Sequence, residues 1–109
     1  MGGFATAGAA IESLCRQLSV ELDPKGIRVV CLRSTGSPET IKNTKSFQLH
    51  AAENNLTSEE LVSQSEQMSP LRRLTSFEDV GNVAALMASD MAISMTATTA
   101  NITCGMYVD

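Results

Sequence analysis

Tryptophan is absent, tyrosine occurs once, and aromatic residues make up 4% of the chain. Any core is therefore built from Leu, Val, Ile, Met and Ala. A basic excess is also missing: 12 Asp and Glu stand against 8 Lys and Arg, for a net charge of −4. That balance argues against nucleic acid or an anionic membrane surface as a partner. No apolar run approaches the roughly 20 residues that a membrane-spanning helix needs. The first residues lack the charged, apolar and cleavage-site sequence of a secretory signal. Cysteine is sparse, with Cys15, Cys31 and Cys104 far apart. An odd count without paired spacing is neither a disulfide framework nor a zinc site, so no metal is expected and a reducing, cytoplasmic setting is.

What is present is 109 residues, 43% of them apolar, enough for one domain at most and too many for a disordered tail. Ile11, Leu14, Cys15, Leu18 and Leu22 recur at helical spacing and make one apolar stripe, while Glu12 and Arg16 lie off it, four apart in the order that favours pairing. Asp23-Pro24-Lys25-Gly26 ends this helix. Ile27–Leu32 is short, β-branched and apolar except for Arg28, which predicts a strand buried on both faces of a parallel sheet. Ser34–Thr40 follows as a polar, turn-rich loop at the carboxyl end of that strand, where open α/β sheets bind ligands.

Residues 41–56 show no clean period and are expected to form a mobile loop with one short helix around Phe47–Ala52. Thr57-Ser58-Glu59-Glu60 has the pattern of a capping box and predicts a helix from Ser58 to about Met68, stopped by Ser69-Pro70. Ser76-Phe77-Glu78-Asp79 caps another helix to about Ser89, with Val80, Val83, Ala84 and Met87 on its buried face. Ala100–Cys104 is the second strand candidate. Two strands cannot make an independent parallel sheet. Ordering each residue's backbone costs about 1–2 kcal/mol, and fully burying a Leu or Val returns about 1.5–3 kcal/mol. From unmet burial alone, the chain is expected to be part of something larger or one half of an obligate assembly.

Phe4-Ala5-Thr6-Ala7-Gly8-Ala9-Ala10, then Glu21-Leu22-Asp23-Pro24-Lys25-Gly26-Ile27-Arg28-Val29, closely resembles the C-terminal half of the short-chain dehydrogenases/reductases. There a helix carrying Tyr-x-x-x-Lys-Ala-Ala leads to Glu-Leu-x-x-x-Gly-Ile-Arg-Val and the sixth sheet strand. Pro70-Leu71-Arg72-Arg73-Leu74, Glu78-Asp79-Val80 and Ala88-Ser89-Asp90 resemble the family's Pro-Leu-x-Arg, Glu-Asp-Val-Ala and Ala-Ser-Asp run. Ser94-Met95-Thr96, Asn101-Ile102 and Gly105 resemble its closing segment. The resemblance runs through nearly the whole chain in order. It implies an α/β fold: the C-terminal part of a Rossmann-like doubly wound parallel sheet, about two strands plus three or four helices, spanning residues 1–109 and incomplete as a stand-alone domain.

The family transfers hydride between NAD or NADP and a carbonyl or alcohol, and the departures from its pattern bear on that activity. The resemblance places the family's catalytic Tyr on Phe4 and its Lys on Gly8. Phenylalanine has no hydroxyl for acid–base work, and glycine has neither charge nor donor. No catalytic residue is therefore assigned. The family's catalytic Ser lies upstream of the Tyr, and no Gly-x-Gly-x-x-Gly cluster that would cradle a pyrophosphate occurs. In the family, a Pro-Gly pair and a Thr four residues later follow the sixth strand and touch the nicotinamide. An ungapped reading puts Ser34-Thr35 on Pro-Gly, whereas a one-residue insertion puts Thr35-Gly36 there and recovers Thr40. On the second alignment Thr35, Gly36 and Thr40 are the cofactor-loop residues. Gly36 allows close backbone approach, and the Thr40 hydroxyl can bond a carboxamide.

The other candidates have simpler readings. Met1-Gly2-Gly3-Phe4-Ala5-Thr6 fits a myristoylation pattern but falls where the resemblance starts a helix. His50, the one histidine, reads as a solvated loop residue. Cys15 and Cys31 read as small hydrophobes, and nothing near Cys104 would activate its thiolate. Met87, Met91 and Met95 make an adaptable apolar patch that suits either a subunit interface or intrachain core. The expectation is an oxidoreductase-like protein that does not catalyse alone and, by itself, does not hold the NAD or NADP the family implies. The alternative is a non-catalytic module that docks with itself, as a homo-oligomer, or with a larger homologous subunit. The stretch 41–68 corresponds to the family's substrate loop, which would set the small-molecule substrate.

Overall fold

The structure is a computed structural model and describes residues 3–109. The first two residues of the myristoylation pattern lie outside the described residues. In chain order the elements are α1 (Phe4–Leu22), a 3-10 turn (Asp23–Lys25), β1 (Val30–Ser34), α2 (Pro38–Asn43), α3 (Lys45–Glu53), α4 (Ser58–Met68), α5 (Phe77–Ala88), a second 3-10 turn (Asp90–Ala92) and β2 (Thr98–Ile102). The two strands are parallel neighbours in one sheet. The α/β class and the partial, Rossmann-like sheet agree with the sequence. The chain divides into two compact units, one ending at Arg33 and resuming over Ala84–Ala100, the other comprising Ser34–Val83 and Asn101–Asp109.

In the first unit, α1 stops as its sequence dictates. Gly26 adopts a left-handed φ of 69° and returns its N–H to Asp23 O at 2.9 Å, while Ile27 N–H reaches Leu22 O at 3.4 Å. The expected stripe is only partly covered. Cys15 is buried and Leu18 and Leu22 are half-buried, but Ile11 is 60% and Leu14 55% exposed. Two strands make too narrow a surface for a helix of 19 residues. The Cys15 thiol faces the carbonyls of Val29 and Thr98 at 3.6 and 3.9 Å. Glu12 pairs with Arg33 at 2.6 Å rather than with Arg16, so this carboxylate ties α1 to the end of β1.

The strand begins three residues later than the apolar run, at Val30 instead of Ile27. Before it, Val29 N–H donates to the Thr96 hydroxyl at 3.0 Å and Val29 O accepts from Ala97 N–H at 2.9 Å, so a side chain stands in for a ladder partner. The residues of β1 are half-buried or exposed, not sealed on both faces, because among the described residues one strand flanks them. Likewise β2 runs over Thr98–Ile102, two residues earlier than expected, and Cys104 lies beyond it with φ 54°. Arg28, the polar exception in the run, donates to three carbonyls: Met87 at 2.8 Å, Met95 at 3.1 Å and Ser89 at 3.2 Å. Its fork satisfies carbonyls at the end of α5 that the helix itself leaves without partners. Along α5, Val80, Val83 and Met87 are half-buried while Ala84 is exposed, and Met91 and Met95 are exposed too.

The second unit holds a small core of Ile41, Val62 and Leu74, against which Phe47, Leu61 and Met106 pack. The short helix expected around Phe47–Ala52 is present as α3, and the stretch before it, expected as loop, belongs to α2, the two broken at Thr44, whose backbone is extended. Ile41 and Phe47 supply the apolar contacts that a search for one long period misses. α4 matches its expected bounds, and Thr57 Oγ1 accepts the Glu60 N–H at 3.1 Å. Ser76 and Asp79 cap α5 reciprocally: Ser76 Oγ accepts Asp79 N–H at 3.0 Å, and Asp79 accepts Ser76 N–H at 2.9 Å. The hydrogen bond from the Ser76 backbone, and after it those from the Ser76 hydroxyl and Arg73, hold the Asp79 carboxyl below its ordinary value. His50 is exposed, in the last turn of α3 rather than in a loop. Among the described residues no helix is long and apolar enough to cross a membrane, and no group of side chains is arranged to hold a metal.

Candidate cofactor loop and helix start

The loop leaving β1 is shorter than expected. Ser37 has an extended backbone and Pro38, whose missing N–H costs nothing at a first helical position, opens α2. Thr40 therefore sits in a first helical turn, not in a loop. Ser37 Oγ accepts the Thr40 N–H at 3.0 Å and lies 2.8 Å from the Thr40 hydroxyl oxygen. Ser37 is 4% exposed, whereas Thr35, Gly36 and Thr40 are half-buried.

Thr35 and Gly36 thus lie between β1 and α2, and Thr40 lies within α2. A Cβ built on Gly36 would stand 3.6 Å from Phe47 Cζ and 3.9 Å from Ile41 Cγ1, so an aromatic ring from α3 packs against this glycine. Two polar atoms here are sealed from solvent without a hydrogen-bond partner, Thr35 Oγ1 and Glu39 Oε2. Each such atom costs about 1–3 kcal/mol relative to a paired one. In the sequence Ser37 and Glu39 read as ordinary turn residues. The Ser-Pro-Glu order, a cap followed by Pro at the first helical position and an acid in the first turn, was the signal that could have found the helix.

On α1, Phe4 and Gly8 are one helical turn apart and share a face. Phe4 is 75% exposed and opens the helix, and Gly8 has nothing within 4 Å of where a Cβ would stand. No side chain there offers a hydroxyl or an ammonium. Gly3, which precedes the helix, provides no side-chain cap. In the second unit, an open cleft of about 320 Å³ is lined by Leu71, Arg73, Thr75, Asp79, Cys104 and Asn101 among others. Its charged groups are spent on each other, since Arg73 and Asp79 pair at 2.6 Å.

A family model described as enoyl-(acyl carrier protein) reductase, of the short-chain dehydrogenase/reductase type, matches residues 2–107. The chain belongs to this family. Over 102 residues it is 30% identical to the NADH-dependent enoyl-(acyl carrier protein) reductase of Haemophilus influenzae, which takes in 94% of this chain and 35% of that protein. Carveol dehydrogenase from Mycobacterium avium, solved in complex with NAD, superposes with a TM-score of 0.83 at 25% identity over 96% of this chain and 39% of that one. Sorbitol-6-phosphate 2-dehydrogenase from Erwinia amylovora gives 0.80 at 28% identity over 99% and 42%. The chain therefore spans between 35% and 42% of the length of these relatives and corresponds to the C-terminal portion of the family's fold.

In the segment from Thr35 to Thr40, the Thr35 hydroxyl is sealed without a partner, the missing Cβ of Gly36 makes room for the Phe47 ring, and the Thr40 hydroxyl lies against Ser37 Oγ. At the start of α1, Phe4 and Gly8 have no group that can hold or move a proton.

Proposed function

We propose that these 109 residues supply the trailing part of an NAD(P)-dependent, short-chain dehydrogenase/reductase-like domain of the reducing cytoplasm, and that by themselves they neither seat a dinucleotide nor transfer hydride. The family match across residues 2–107 carries the reading. In it, Thr35, Gly36 and Thr40 face the nicotinamide, α2–α4 line the substrate side, and Phe4 and Gly8 stand where a proton relay would need a phenol and an ammonium. A dinucleotide needs a glycine-rich turn opening onto a helix for its pyrophosphate, and this sequence has none.

Titration of the purified chain with NADH and with NADPH, followed by nicotinamide fluorescence, is expected to show no saturation in the micromolar range. The Phe4→Tyr/Gly8→Lys variant is expected to behave the same and to turn over no carbonyl substrate. Its side chains meet no steric obstacle, since Gly8 opens onto free space and Phe4 is exposed, so the outcome does not depend on a damaged fold. Saturable micromolar binding, or turnover by the variant, would sink the proposal.

A second reading is favoured by the apolar surface of α1. Phe4, Ile11 and Leu14 are exposed along one face of this helix, more than a solitary helix face normally leaves in water. We infer an assembly module in which that face is covered by another copy or by a longer homologous subunit. Sedimentation across a concentration series is expected to show self-association under this reading. A monomer throughout would leave only the longer subunit as the covering partner.

A further inference from the structure

We draw no further inference here: the strongest candidate, the open groove of about 400 Å³ between Val30 and Leu32 of β1 and Ala84, Met87 and Ala88 of α5, is an unpartnered apolar face, and nothing in the structure shows what covers it.

Discussion

Replacing Arg28 with methionine is expected to destabilise the fold by about 2–4 kcal/mol, the cost of breaking charge-assisted bonds and leaving carbonyls unmatched. The guanidinium donates to Met87 O, Met95 O and Ser89 O at 2.8, 3.1 and 3.2 Å, and the bonds to Met87 and Ser89 lie in partly buried surroundings. Two of these carbonyls lie at or just past the end of α5, whose last residue is Ala88. Methionine keeps most of the apolar stem, so the loss reports the hydrogen bonds and not the packing. Arg28→Lys is expected to recover less than half of the loss. An ammonium is a point donor on a flexible stem and cannot reproduce a planar fork that spans three acceptors. Thermal unfolding followed by circular dichroism checks both variants, with a drop of more than about 8 °C for methionine in a chain of this size. A change within about 0.5 kcal/mol, the range of ordinary surface substitutions, would mean that water replaces the guanidinium without cost.

Arg28 also shows where sequence reasoning stops. Ile27–Leu32 reads as an apolar run with one polar exception, and the run does lead into β1. Nothing local says that the exception reaches carbonyls roughly sixty residues away, because a side chain's partner across the chain leaves no periodic trace. The same limit applies to Glu12. Its spacing to Arg16 is right for a pair within a helix, but Arg33 offers a better-fixed partner at 2.6 Å. A surface pair four apart is worth only a few tenths of a kcal/mol, so a tertiary contact readily displaces it. Elements with a local cause were legible almost to the residue. Thr57 and Ser69 bound α4, and Gly26 ends the first helical segment, because caps and left-handed glycines act on their own neighbours.

Strand limits were legible to within two or three residues, since pairing, not composition, sets them. Thr96 takes over at Val29 what a strand would otherwise do, and β1 starts after it. In the candidate site, the sequence reads Thr35, Gly36 and Thr40 as one loop, whereas Thr35 and Gly36 lie between β1 and α2 and Thr40 lies within α2. The helix that Ser37 opens was hidden by its length. Six residues make too short a window for a hydrophobic period, and only the cap chemistry could reveal it.

Gly105→Ala is expected to be as damaging, by about 2–5 kcal/mol from left-handed strain and overpacking together. Its φ of 87° lies where a side chain is strained, but strain alone does not single it out, since Cys104 beside it holds φ 54°. What differs is the space. A Cβ on Gly105 would stand 2.9 Å from Pro70 Cγ and 3.0 Å from Pro70 Cβ, inside the distance that real atoms keep. The proline ring cannot withdraw. On one side of it the Ser69 hydroxyl donates to Cys104 O at 3.0 Å, and on the other Leu71 N–H donates to the same carbonyl at 3.3 Å, so both segments are pinned around the contact. Ser69 and Thr103 are completely or almost completely buried, which leaves little room for either segment to slide. Pro70→Ala separates the two contributions. Combined with Gly105→Ala it removes the ring atom nearest the new methyl, so the pair is expected to cost at least about 1 kcal/mol less than the sum of the single changes, a coupling typical of residues in contact. Additive losses in urea unfolding would assign the whole effect to the backbone of the turn and none to the proline.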